Sequence, residues 1–156
     1  MRLTSAVLVV PVAAVLSAVA VAPAAAAAVP VEVVVDVPFD GSPGSFTATG
    51  PGLCAGGTYT DSAIRTTGAN GRARTLTFHL DRTFTCSDGS GSFTVRISAH
   101  WQPCDATNSG TWVVLRGDGD YTDLHAAGQL VGSYVGADTC DPEGVVDVLS
   151  GRGTLG

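Results

Sequence analysis

The chain has 156 residues, 45% of them hydrophobic, with 20 glycines and a formal net charge of −6 at pH 7. Its basic side chains other than histidine are all arginines, and 14 acidic residues outnumber them. This acidic balance without a basic patch excludes nucleic acid and anionic membranes as expected partners.

The N-terminal segment is patterned for export. A positive start precedes the apolar run Leu3–Val21, and small residues with overlapping A-x-A sites follow in Pro23–Ala28. This pattern is typical of a secretory signal peptide, cleaved after Ala26 or Ala28. An uncleaved membrane anchor is the alternative, because the run is near spanning length, but the prolines and the alanine-rich region favour cleavage. We predict a signal peptide over residues 1–28 and one secreted, extracellular domain over residues 29–156, with no membrane contact after cleavage.

The domain begins with strand patterns. Val31–Val37 alternates valine with acidic residues, and Ser45–Thr49 alternates again after a Gly-Ser-Pro-Gly cluster. Thr75–Cys86 and Ser92–Ala99 are two long alternating runs around the glycine turn at residues 87–91, which predicts a β-hairpin. Arg82 alone interrupts the first of these runs, and we interpret the interruption as a β-bulge.

A glycine-punctuated unit, Gly110–Gly136, follows. We read it as a strand, a tight turn at Gly117–Gly119, a short strand, a second turn and a strand over Gly128–Val135, because glycine takes positive φ at no steric cost. A short strand at residues 57–62 and a final strand at residues 145–149 complete the pattern. Thr66–Arg74 and Trp101–Ser109 are predicted loops.

The fold class follows from the spacing of these strands. Roughly eight short strands with glycine turns and no helical period indicate an all-β sandwich or closed barrel. Consecutive hairpins favour an antiparallel up-and-down β-barrel, whose closure would also remove exposed strand edges.

The four cysteines, Cys54, Cys86, Cys104 and Cys140, form an even set in a chain predicted to be exported. Such a set predicts two disulfides with three possible pairings. We favour Cys54–Cys86 with Cys104–Cys140, because each bond then links neighbouring hairpins. The spacing does not match a zinc site.

Part of the sequence resembles a known group of barrels. The run from Gly110 to Leu130 is similar to one found in small β-barrels of the allene-oxide-cyclase and dirigent type. The hairpin Phe84–Phe93 and the segment Gly52–Cys54 resemble secreted actinobacterial proteins of unassigned function. The resemblance covers about residues 45–135. Asp118 and the pair at residues 125–126 depart from the pattern.

The resemblance implies a small β-barrel. Within that group, cyclases act on a fatty-acid epoxide and dirigent proteins steer phenoxy-radical coupling. Neither activity maps onto individual residues of this chain, so the resemblance implies no catalytic site.

Candidate site residues come from aromatic and polar side chains that a barrel would bring inward. Aromatic residues would either line a cavity for an apolar ligand or fill the interior. If a cavity exists, we expect Tyr121, His125 and Tyr134 to supply its polar contacts, together with Trp112. His79 and His100 are interpreted as solvated strand residues. We predict no metal site, because the Asp-Gly turns lack an EF-hand pattern.

The sequence contains no G-x-S-x-G elbow or other catalytic constellation. We therefore predict a non-catalytic binding or structural domain without a cofactor, whose partner is a small apolar ligand or an extracellular protein. Two alternatives stay open. One is a lipophile-binding or stereo-directing barrel, and the other is a secreted interaction or inhibitor module that docks through Thr66–Arg74 or Gln102–Ser109.

Overall fold

The computed structural model describes residues 27–68 and 75–156. Residues 1–26 of the predicted signal peptide and residues 69–74 of the predicted loop Thr66–Arg74 lie outside the described residues. The described part contains eight strands: β1 Val29–Pro38, β2 Ser45–Thr49, β3 Gly56–Thr67, β4 Leu76–Cys86, β5 Gly91–Trp101, β6 Thr107–Gly119, β7 His125–Val135 and β8 Gly144–Thr154. No helix long and apolar enough to cross a membrane occurs in it.

The strands form one closed barrel. Each pairs antiparallel with its neighbour in sequence, and β8 pairs with β1 from Val29 opposite Gly153 to Pro38 opposite Gly144. Alternation places one face of each strand inside, as in β1, where Val31, Val33 and Val35 are buried. The predicted all-β, antiparallel up-and-down barrel of about eight strands is confirmed.

The two ends of the barrel differ. We call the end that carries the connections 39–44, 102–106 and 136–143 the mouth, and the opposite end, with the connections 50–55, 87–90 and 120–124, the base. In the half nearer the base, aromatic side chains fill the interior. Phe84 lies 4.9 Å from Phe46 and 5.0 Å from Phe93 between ring centroids, and Tyr121 lies 5.4 Å from Phe93. The base is therefore packed shut, as is usual for a small barrel.

One disulfide lies at each end. Cys54–Cys86 is buried at the base and Cys104–Cys140 is exposed at the mouth, and both predicted pairings are confirmed. The bonds span 32 and 36 residues. Closing loops of this length stabilises a fold by about 3–4 kcal/mol each in the loop-entropy model.

The predicted turn at Gly117–Gly119 is wrong. Strand β6 continues to Gly119, pairing Gly117 with Phe93, and the chain reverses only at residues 120–124. A Cβ at Gly117 would collide with the backbone oxygen of Tyr121. This glycine therefore makes room for the returning loop instead of forming the turn, which is the other common reason for glycine in a strand.

Several strand boundaries also differ from the predictions. Trp101 belongs to β5, opposite Leu76, so the predicted loop Trp101–Ser109 shortens to residues 102–106. Thr66 and Thr67 belong to β3 and pair with β4. The last strand continues past Leu149 to Thr154, because its glycines lie against β7 at distances that side chains would not permit.

Arg82 is not at a bulge. It keeps its place in the β4 alternation, opposite Asp61 of β3 and Val95 of β5. The irregularity in this pairing lies in β3, between Ser62 and Arg65. A charged side chain is therefore held on the inner face of the barrel.

Candidate functional site

A cavity of about 530 Å³ occupies the mouth half of the barrel. Its walls are apolar, from Val37 of β1, Phe78 and Leu80 of β4 and Val145 of β8. These residues point inward because they continue the alternation that fills the base. An eight-stranded barrel has an interior wide enough either to be filled by side chains or to hold one small ligand. In this chain side chains fill the base half, and the mouth half contains a cavity.

The floor of the cavity is an ion-paired cluster centred on Arg82. Its guanidinium donates to Asp61 through Nε at 2.7 Å and Nη2 at 2.8 Å, and to Asp147 through Nη1 at 3.1 Å. Its carbon Cζ also lies 4.4 Å from the centroid of the Tyr59 ring. Arg82 is only 3% exposed. A buried charge needs such a set of partners, because its desolvation would otherwise be prohibitive.

Three strands position this cluster. Asp61 lies directly across from Arg82 on the neighbouring strand, while Asp147 approaches from β8 on another part of the wall. Burial opposes the charge of Arg82, but the hydrogen bond and charge of Asp61, with the charge of Asp147, hold the guanidinium pKa above its ordinary value. Burial raises the pKa of Asp147, and Arg82 opposes this rise only in part.

The cavity contains unsatisfied hydrogen-bonding capacity. Among the residues that the structure describes, three buried side-chain polar atoms have no protein partner: Trp101 Nε1, Asn108 Oδ1 and Asp147 Oδ1. All three belong to residues that line this cavity. Such atoms each cost about 1–3 kcal/mol when they stay unpaired, so their collection at one place points to a molecule that pairs with them.

Gly132 of β7 leaves space for two of these atoms because it has no side chain. A Cβ there would collide with Asn108 Oδ1 and Asp147 Oδ1. Both side chains therefore lie over the bare backbone of β7. The Asn108 amide group and the Asp147 carboxylate therefore meet over this one glycine, which makes it a polar part of the cavity wall.

Aromatic side chains surround the opening. The ring centroid of Tyr134 lies 6.5 Å from Phe39 and 6.4 Å from Trp101. Burial raises the pKa of Tyr134, and its hydroxyl accepts a long hydrogen bond of 3.5 Å from Asn108 Nδ2. The disulfide joins two mouth connections beside these rings, and its Cys140 lines the cavity.

The wall outside the opening is acidic. A groove of about 600 Å³ adjoins the cavity and shares Phe39, Asp141 and Pro142 with it. Asp36, Asp40 and Glu143 also line this groove. In the part of the chain that the structure describes, no three His, Cys, Asp or Glu side chains gather as a metal site would require.

The four predicted ligand-binding residues do not lie together. Tyr134 lines the cavity, but Tyr121 is buried in the base, where its hydroxyl accepts from the Cys54 amide at 2.9 Å. Trp112 is buried and donates through Nε1 to the carbonyl of Gln129 at 3.1 Å. His125 is exposed at the start of β7. A ligand-binding role for these four residues stays a prediction.

Sequence reasoning missed four polar cavity residues: Arg82, Asp61, Asn108 and Asp147. A signal was present for two of them. Arg82 occupies an inward position of a strand whose other inward residues are apolar, and Asp147 does the same between Val145 and Leu149. A charge in such a position indicates a polar site inside the barrel. Asp61 and Asn108 lie among polar neighbours and carry no comparable signal.

The chain was also compared with known proteins. No protein-family model, curated protein or solved structure matches it.

Proposed function

We propose that this protein is a secreted, non-catalytic β-barrel that binds one small organic molecule in the mouth cavity. The observation that carries the proposal is the position of the three buried unpartnered polar atoms, all around one cavity whose walls are otherwise apolar. Small-molecule sites have this composition, with apolar walls and a few polar groups that fix orientation.

Binding is favoured over catalysis by the chemistry of the lining. Among the described residues that line the cavity there is no serine, threonine or histidine, and Cys140 is held in a disulfide. Arg82 and Asp61 are engaged with each other through two hydrogen bonds. Catalysis of the serine- or cysteine-hydrolase type needs a hydroxyl or thiol nucleophile beside a base, and the described lining contains no serine, threonine or free cysteine for that role. The cyclase-like, dirigent-like and inhibitor roles stay predictions of the sequence.

Secretion is part of the proposal. The N-terminal sequence pattern supports it, and two disulfides are compatible with an extracellular protein. The relation to allene-oxide-cyclase and dirigent barrels is likewise proposed from the sequence resemblance and the eight-stranded closed barrel.

Native mass spectrometry of the protein purified from its producer's culture medium tests the binding function. We expect an added mass in the range of a small organic molecule, which is lost on denaturation. The protein itself should be four hydrogens lighter than its reduced form because of the two disulfides.

A cavity-filling variant makes the test specific. Val37→Phe would place a ring in the cavity, while Val131→Phe makes the same change on the exposed outer face of the barrel. We expect the added mass to vanish in the first variant and persist in the second. Retention of the ligand by Val37→Phe, or a bare mass for the wild type together with no thermal shift from any small molecule, would overturn the proposal.

A further inference from the structure

The chemistry of the mouth also indicates the class of ligand. We infer that the cavity selects an organic cation, a protonated amine carried on an apolar or aromatic body. The inference rests on the proposed binding function and adds the charge of the ligand to it.

The first argument is charge. Three carboxylates line the cavity, those of Asp61, Asp141 and Asp147, while Arg82 is the only basic residue among the described lining residues. The adjoining groove adds Asp36, Asp40 and Glu143. The carboxylates outnumber the one guanidinium, and a cleft with an excess of one sign of charge concentrates ligands of the opposite sign. An incoming cation therefore meets an attractive potential outside the cavity as well as within it.

The second argument is the type of hydrogen bond that is lacking. Two of the three unpartnered atoms, Asn108 Oδ1 and Asp147 Oδ1, are buried acceptors, whereas the third, Trp101 Nε1 at the rim, is a donor that an ammonium group does not satisfy. Asn108 is 5% exposed and Asp147 is 7% exposed. An ammonium group has several N–H donors and no acceptor. It can pair with both oxygens at once, which a hydroxyl with its single proton cannot do.

The third argument excludes an anionic head group. Arg82 would be its natural partner, but Asp61 already holds the fork of the guanidinium through Nε and Nη2, and Asp147 holds Nη1. An anion that reached Arg82 would lie against these two carboxylates. The repulsion would outweigh what the remaining N–H groups of Arg82 could contribute.

The fourth argument is the aromatic rim. Phe39, Tyr134 and Trp101 follow one another around the opening, with centroid separations of 6.5 and 6.4 Å. Aromatic faces attract cations and also pack against an apolar body. The combination of aromatic rings with nearby carboxylates is the chemistry that recognises organic ammonium groups, whereas a metal ion would require clustered oxygen ligands.

Three probes of one shape and different charge test this inference: naphthylethylamine, naphthylethanol and naphthylacetate. Their dissociation constants for the mature protein would be measured by titration calorimetry at neutral pH. We expect the amine to bind about tenfold or more tightly than the alcohol, as one desolvated charged contact would give, and the carboxylate to bind most weakly.

The outcomes separate the inference from the proposed function. If the alcohol or the carboxylate binds as tightly as the amine, the inference fails while the binding function survives. If none of the three binds and the protein from culture medium has a bare mass, both fail. If none binds but a ligand is found in the culture-derived protein, the charge of that ligand decides the inference.

Variants locate the effect. Asp147→Asn keeps the shape and removes the charge, and we expect it to remove most of the amine's advantage over the alcohol. Asp120→Asn makes the same change on the exposed base connection and should leave that advantage intact. Because Asp147 is buried, Asp141→Asn provides a second test at an exposed position of the mouth. An amine preference that persists in both mouth variants would overturn the inference.

Discussion

Arg82 and Asp61 lie directly opposite each other on neighbouring strands, and their side chains meet inside the barrel through hydrogen bonds of 2.7 and 2.8 Å. One residue earlier on β4, Asp81 makes a similar pair with Arg96 of the other neighbouring strand, β5, through two hydrogen bonds of 2.9 and 3.0 Å on the outer face. The chain thus contains one geometry in two environments, buried and solvated. This contrast provides a matched test of what burial does to an ion pair.

Asp61→Asn is expected to destabilise the fold by about 3 kcal/mol, because it takes a charge partner from a buried guanidinium. Asp81→Asn should cost much less, because Arg96 is exposed and solvent replaces the lost contact. Urea denaturation of the wild type and both variants measures the two losses. Equal losses would show that Arg82 does not depend on Asp61 for its burial.

Asp147 should make the stability of the wild type depend on pH. Its folded pKa is raised by burial, so between its ordinary value of about 3.9 and the raised value the folded state binds more protons than the unfolded state. The free energy of unfolding therefore falls as pH rises through this window. At lower pH the carboxyl is protonated in both states, so its titration no longer changes the free energy of unfolding.

Asp147→Asn should remove this fall, which denaturation at a series of pH values would detect as a difference from the wild type. Asp81→Asn serves as a control, because the pH dependence that Asp81 contributes to stability has the opposite sign. Arg96 holds the pKa of Asp81 below its ordinary value, so the contribution of Asp81 to stability is lost as pH falls. A pH profile that does not change on Asp147→Asn would contradict the burial of this carboxyl.

Gly132→Ala should destabilise the barrel by about 1–3 kcal/mol, the usual cost of overpacking. The new methyl would collide with the polar atoms of Asn108 and Asp147. Ser133→Ala, one residue further along β7 on the exposed face, should have little effect. Thermal unfolding followed by circular dichroism compares the two variants, and a neutral Gly132→Ala would mean that these side chains can move away freely.

The two disulfides should respond differently to reductant. Cys104–Cys140 is exposed at the mouth, whereas Cys54 and Cys86 are buried and lie beside the Tyr121 hydroxyl. Mild reduction of the folded protein, followed by alkylation and mass mapping, should label Cys104 and Cys140 first. Labelling of the base cysteines first, or of all four together, would contradict this order.

Replacing both members of each pair with alanine measures their contributions. Loss of the mouth bond should lower the free energy of unfolding by about 3–4 kcal/mol, because the unfolded chain gains conformational entropy. Loss of the base bond should cost more, because it also leaves space in the packed core. Equal costs, measured by urea denaturation, would indicate that the base relaxes to fill the space.

The sequence predicted the architecture because the architecture depends on local patterns. Valine alternation in β1 and the matched runs of β4 and β5 each identify a strand without knowledge of its partner. The disulfide pairing followed as well, since Cys54–Cys86 and Cys104–Cys140 link neighbouring hairpins. These features need only the local strand patterns and the order of the hairpins along the chain.

The cavity was less accessible because it depends on residues brought together from different strands. In the sequence, Arg82 only interrupts an apolar run. Its hydrogen bond to Asp147, which lies 65 positions further along the chain, shows that it belongs to a site. Tyr121 and Tyr134 are similar in sequence terms, yet one fills the base and the other lines the opening. Gly117 shows the same ambiguity, because a glycine that permits close approach cannot be told from one that forms a turn.

Among the described residues, aromatic rings close the base of the barrel, so a molecule bound in the cavity would enter and leave through the mouth. Association and dissociation of the ligand would both pass Phe39, Trp101 and Tyr134. A substitution at one of these three residues should therefore alter both rates together. The polar floor is met only at the end of the route, so changes there should act mainly on the rate of departure. The aromatic rim would thus set the exchange rate of the ligand, and the polar floor would set its affinity.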